Sequence, residues 1–175
     1  MISFELGLLW PGFMKFAGSI IGLPFALEGF AFFAEAIFLG IYLYGWNKVS
    51  RRAHFLAGCV VALSGAASAV LVMTANAWMN NPTGFEILNG QAINVDPIAA
   101  MLNPASFTEC LHMLLASYVA AGFGVAGVHA FMLLRDAQNL FHRKAFKIAF
   151  AVGAVAMLLQ LVSGDLSARY VAREE

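Results

Sequence analysis

Apolar residues run through the chain in four long blocks separated by polar breaks: Ile20 to Tyr44, His54 to Ala75, Leu111 to Leu134 and Phe146 to Val162. Spanning a bilayer takes about 20 mostly apolar residues in a helix. The blocks show no strict alternation of the kind a barrel strand needs, and in lipid a helix satisfies its own backbone hydrogen bonds. The pattern therefore predicts an all-α, polytopic membrane helical bundle of four transmembrane helices, with residues 1–175 forming a single transmembrane domain. Trp10, Pro11 and Gly12, with Lys15, read as an interfacial lead-in, and Pro24 falls near one end of the first span, where a kinked turn is tolerated. The longest break, Asn76 to Ser106, carries the turn signals NNPTG, LNG and LNP.

Composition agrees with a membrane location: 61% of the residues are hydrophobic and only 11% charged, against about 45–50% and about 25% in soluble domains. Ten basic and ten acidic residues cancel, leaving no field to gather nucleic acid, so membrane lipid is the expected surrounding and nucleic acid is not a partner. Cys59 and Cys110 lie in or beside apolar runs without metal-type or disulfide-type spacing and read as packing residues. The N-terminus lacks a basic region ahead of its apolar part and a clear cleavage site, so no removable signal peptide is expected.

Basic residues set the orientation. Lys48, Arg51 and Arg52 lie between the first and second spans, and Arg135, Arg143, Lys144 and Lys147 between or beside the third and fourth. The long connection from Asn76 to Ser106 has neither lysine nor arginine. The positive-inside rule puts the two basic connections in the cytoplasm, and the long loop and both termini outside it.

Two carboxylates interrupt the first span. An ionised group near the bilayer centre costs at least about 2.5–3.5 kcal/mol on insertion scales, and such residues usually face a bundle interior or an ion path. Glu28 and Glu35 are seven residues apart, so on a helix they share nearly one face, about 10 Å apart along the axis. Desolvation favours the neutral form of a carboxyl group, which suits groups that take up and hand on protons; the plainer reading is hydrogen bonding to a neighbouring helix. His112 opens the third span with Glu109 one turn before it, and fits either an axial haem ligand or a hydrogen-bonded packing residue. His54 and His142 border basic segments and are expected to be hydrated, and His129 has no assigned role. Gly122, Gly124 and Gly127 permit close helix approach. No phosphate-cradling loop or hydrolase triad is present in the sequence.

In these residues the sequence resembles subunit I of the cytochrome bd-type quinol oxidases. The likeness lies in LEGFAFFAEAIFLGIYLYGW with its two glutamates, RRAH, LSGAASAVLVMTANAWMNNP, LNPASF…LHMLLASYV around His112, and SGDLSARYVAREE. Order and spacing match as well, over essentially the whole chain, and correspond to about the third to sixth of the nine helices of such a subunit.

The resemblance implies that His112 ligates the iron of a low-spin haem b that takes electrons from quinol near the outer face. Glu28 would lie close to a high-spin haem pair, a haem b with a haem d or second haem b, where oxygen is reduced. Glu35 would pass protons one step nearer the cytoplasm, with Ser68 on the same route, and Asn76 and Trp78 would belong to packing or the haem pocket. It further implies a multi-pass location in the bacterial inner membrane, a second oxidase subunit as partner, and the remaining segments of subunit I. Those segments would hold the high-spin haem histidine, the methionine opposite His112, another haem glutamate and the rest of the quinol loop. The chain is thus expected to be a fragment, a truncated product or part of a split subunit, inactive alone. The alternatives are a non-redox helical packing or assembly subunit and a small di-haem cytochrome, although His54 and His112 lie too far apart along the membrane normal to share one iron.

Overall fold

The computed structural model describes residues 2–174. Its elements, in order, are α1 (Ile2–Leu9), α2 (Pro11–Tyr44), α3 (Arg51–Asn80), β1 (Glu86–Leu88), β2 (Gln91–Ile93), α4 (Pro97–Met101), α5 (Ser106–Arg135) and α6 (Leu140–Glu174). Four of these helices, α2, α3, α5 and α6, are long and apolar enough to cross a membrane, and the chain is an all-α, multi-pass membrane protein. It divides into two compact units, residues 1–107 and 108–175.

Each long helix extends beyond the apolar block that signals it. Hydropathy marks the part that sits in lipid, whereas side-chain caps mark where the helix begins. Ser50 Oγ accepts from Ala53 N at 3.3 Å and starts α3 at Arg51, three residues before the apolar block. Asn103 Oδ1 accepts from Ala105 N and Ser106 N at 3.0 and 3.1 Å, ahead of α5. Asn139 Oδ1 does the same for Phe141 N and His142 N, so the charged turn with Arg143 and Lys144 is already helical. Such caps satisfy the amide donors that the first helical turn leaves open. Pro11 occupies the first turn of α2, where its missing N–H costs nothing, and Pro24 is carried inside an otherwise continuous 34-residue helix.

The first unit is built on α2 packed antiparallel to α3. Its buried cluster lies toward the Pro11 end, where Ala17, Ile20, Ile21 and Phe25 of α2 meet Ala75 and Trp78 of α3 and Ala100 of α4. The long loop folds back on this cluster. Trp78 Nε1 donates to the Thr83 carbonyl at 2.9 Å, and Phe85 packs edge-on against Phe16 with ring centroids 5.6 Å apart. Strands β1 and β2 form an antiparallel hairpin with Leu88 opposite Gln91. Asn89 and Gly90, at φ 51° and 77°, make the two-residue turn that matches strand twist. Gly84, at φ 79°, could not carry a Cβ, which would lie 2.6 Å from the Asp96 carbonyl.

In the second unit α5 meets α6 through glycine. A Cβ added at Gly122 would lie 2.6 Å from Gly153 Cα, so the two backbones touch where no side chain intervenes. This assigns close helix approach to Gly122, while Gly124 and Gly127 face open space.

Candidate functional site

The two span carboxylates of α2 both face α3. Ser68 Oγ donates to Glu28 Oε1 at 3.2 Å. One turn away on the same face of α3, Gly65 lies against the Glu35 carboxylate: a Cβ there would sit 3.5 Å from Oε1. Both glutamates are half-buried. The seven-residue spacing therefore does bring them onto one seam.

The seam continues for a further seven residues to Tyr42. Its ring rests on Gly58, where a Cβ would be 3.0 Å from Cε2. The face of α3 that receives Glu28, Glu35 and Tyr42 is thus Ser68, Gly65 and Gly58, with His54 one turn beyond. His54 Nε2 donates to the Tyr42 carbonyl at 2.9 Å, capping the last turn of α2. Its ring stacks on that of Tyr42 at 4.7 Å and lies 4.4 Å from that of Trp46. The expectation that His54 is simply hydrated is corrected here: it is half-buried and fastened at both edge and face. Beside it is an open, mainly apolar groove of about 610 Å³ lined by Leu39, Tyr42, Trp46, Arg51, His54 and Phe55. Toward the opposite end, Trp78 is buried and bonded to the loop, and Asn76 is half-buried.

His112 lies in the second unit, in the second turn of α5, because α5 begins at Ser106 and not at Leu111. Three residues of α6 surround its half-buried ring. Ser163 Oγ is 3.0 Å from Nδ1. The Gln160 amide nitrogen is 2.9 Å from Nε2 and 3.3 Å from Nδ1. A ring nitrogen's lone pair lies in the ring plane and points away from the other nitrogen, so an atom this close to both lies over the ring face. The Gln160 amide therefore does not occupy the in-plane edge of Nε2. Gly164 stands beside the ring, where an added Cβ would lie 3.5 Å from Cε1. Gln160 Oε1 is buried and has no hydrogen-bond partner among the described residues. A neutral imidazole with one open, in-plane nitrogen, held by an oxygen on its other nitrogen, suits an axial metal ligand, so these residues fit a haem iron at His112.

At the far end of the same unit, His129 Nδ1 and His142 Nδ1 are 2.9 Å apart, with Phe141 edge-on to His129 at 5.7 Å. His142 is in the first turn of α6 and half-buried, so it lies in the helix and not in the connection before it. Among the described residues, no group of three or more histidine, cysteine or acidic side chains is arranged to hold a metal ion. Cys110 is buried and Cys59 half-buried, as packing residues are.

Several members of these clusters carry no clear sequence signal. Gly65, Gly58, Ser163 and Gln160 are small or neutral residues inside apolar runs. Tyr42 was within reach, because it continues the step of seven from Glu28 and Glu35.

Residues 1–175 match the family model described as cytochrome bd terminal oxidase subunit I. The solved structure of bd oxidase from Geobacillus thermodenitrificans aligns with a TM-score of 0.93 and 42% sequence identity, covering 99% of this chain and 40% of that one. A candidate cytochrome bd menaquinol oxidase subunit I of Bacillus subtilis (strain 168) is 40% identical over 169 residues, covering 94% of this chain and 38% of the relative. The cytochrome bd ubiquinol oxidase subunit 1 of the same organism is 35% identical over 170 residues, 97% of this chain and 36% of the relative. The chain thus spans well under half the length of the relatives it matches.

Proposed function

The chain belongs to the cytochrome bd terminal oxidase subunit I family, and from that premise we propose that it works within a quinol:oxygen oxidoreductase, delivering cytoplasmic protons and holding the haem that receives electrons from quinol. The observation that carries this reading is the α2–α3 seam, with Glu28 on Ser68 and Glu35 against Gly65. It brings two proton-exchanging groups, two turns apart on α2, to one face of α3.

Protons enter from the end bearing Lys48, Arg51 and Arg52, which the positive-inside rule assigns to the cytoplasm. Glu35 takes them up and Glu28 receives them, with the Ser68 hydroxyl holding one Glu28 oxygen in the seam. A carboxyl group can turn and exchange its proton between its oxygens, so both glutamates can accept from one side and release to the other. Glu28 would lie beside the high-spin haem pair, a haem b with a haem d or second haem b. His112 would hold the low-spin haem b through Nε2. Haem, when bound, supplies one-electron transfer between quinol and oxygen. Because protons and electrons arrive from opposite faces, charge separates across the membrane without a pump. The two compact units would act as parts of one transmembrane domain, together with the remaining segments of subunit I, a second oxidase subunit and membrane lipid.

Two measurements test this. A reduced-minus-oxidised visible spectrum of the parent and of His112→Ala is expected to lose its low-spin b-type band in the variant. In the complete oxidase, Glu35→Gln is expected to lower quinol-driven oxygen consumption at least tenfold while haem content and haem reduction by quinol persist. A colourless parent would favour a packing or assembly subunit, in which Glu28 and Ser68 only join helices. Unchanged turnover in Glu35→Gln would remove the proton path.

A further inference from the structure

Ser163 lies in α6 with only 2% of its surface exposed. Its Oγ makes two contacts, 3.1 Å to the Gln160 carbonyl oxygen and 3.0 Å to His112 Nδ1. A carbonyl only accepts, and a hydroxyl has one hydrogen to give. Back-bonding to a carbonyl three residues earlier is a local habit of helical serine, and it places that hydrogen on Gln160. In that arrangement Oγ offers His112 a lone pair, and Nδ1 carries the ring's hydrogen. A neutral imidazole has only one, so Nε2 is bare. The opposite assignment, with the hydroxyl turned toward Nδ1, would give up the Gln160 contact and put the hydrogen on Nε2, where it blocks a metal.

The Gln160 amide packs on the ring without occupying its edge. The Gln160 amide lies over the ring face, as its 2.9 and 3.3 Å distances to the two nitrogens require. Gly164 lies near the Cε1 edge, where an added Cβ would make only an ordinary contact.

We infer that Ser163 is a positioning residue that fixes the tautomer of His112 and so presents a bare Nε2 to the iron of a haem; this rests on the reading of His112 as the low-spin haem ligand. Its effect goes beyond placement. A hydrogen bond from Nδ1–H to an oxygen acceptor makes the imidazole a better electron donor, which favours ferric over ferrous iron. Loss of the hydroxyl weakens that donation and shifts the low-spin haem toward the ferrous form.

The test uses the complete oxidase carrying this chain, with Ser163→Ala, Ser163→Thr and His112→Ala, in a redox titration followed at the low-spin b band. Ser163→Ala is expected to retain the band and to raise the ferrous-to-ferric ratio several-fold at a fixed ambient potential, while Ser163→Thr, which keeps a hydroxyl, stays near the parent. Loss of the band in Ser163→Ala with retention in Ser163→Thr also supports the inference. A parental titration in Ser163→Ala, or equal shifts or equal losses in both Ser163 variants, would overturn it. An intact band in His112→Ala would instead remove the underlying ligand assignment, so the two failures are distinguishable.

Discussion

Ser68 on α3 holds Glu28 on α2 through a 3.2 Å hydrogen bond that joins residues 40 positions apart. Bonds of this kind between membrane helices average about 0.6 kcal/mol. Ser68→Ala is therefore expected to lower thermal stability in detergent only slightly. It should also reduce oxidase turnover less than Glu35→Gln does, because Glu28 keeps its carboxyl group. Paired melting curves and oxygen-electrode rates would check both halves.

Gly65 separates tolerance of a methyl group from tolerance of a branched side chain. A Cβ at this position meets the Glu35 carboxylate at 3.5 Å, an ordinary contact, so Gly65→Ala should behave like the parent. Gly65→Leu would push its branches into the carboxylate. Its turnover is expected to fall toward that of Glu35→Gln with haem spectra unchanged.

Gly122 and Gly153 touch backbone to backbone. Gly122→Ala places a Cβ 2.6 Å from Gly153 Cα, and relief requires α5 and α6 to separate. Overpacking of this kind costs about 1–3 kcal/mol. Gly124→Ala, with nothing within 4 Å of its added Cβ, is the control and should be neutral or gain up to about 1 kcal/mol from helix propensity. Melting temperatures of the two variants in one detergent would separate them.

Trp78 ties the long loop to the end of α3. Trp78→Phe keeps an aromatic ring near Phe85 but loses the 2.9 Å bond to the Thr83 carbonyl, at about 0.5–1.5 kcal/mol for a hydrogen bond of this type. Limited proteolysis is expected to cut faster between residues 83 and 96, with the visible spectrum unchanged.

The four spans were legible because hydropathy reports directly on which residues can sit in lipid. The helix ends were not: Ser50, Asn103 and Asn139 set them, and the polar or charged turns they start look like loop in a hydropathy reading. Glu28 and Glu35 were legible as a pair because two carboxylates in an apolar run are costly and a step of seven places them together. Ser68 entered through resemblance to a family, whereas Gly65 left no trace, since a glycine that makes room for a partner looks like any other glycine. His112 stood out as an ionisable residue at a span edge. Ser163 and Gln160 did not, because their role depends on the register of α6 against α5, which sequence periodicity does not supply.

The bond from His54 to the Tyr42 carbonyl closes a loop of only 12 residues, so little chain entropy opposes its formation. During synthesis this tie can form as soon as the first turns of α3 follow α2 out of the ribosome. Once formed, it sets the register in which the rest of α3 meets α2. Glu35 and Glu28 then meet Gly65 and Ser68 in turn as α3 lengthens along α2. Counted from the His54 end, the partners of the carboxylates follow in order along α3, Gly65 for Glu35 and then Ser68 for Glu28, so each lies nearer in sequence to the tie than a partner on another span would.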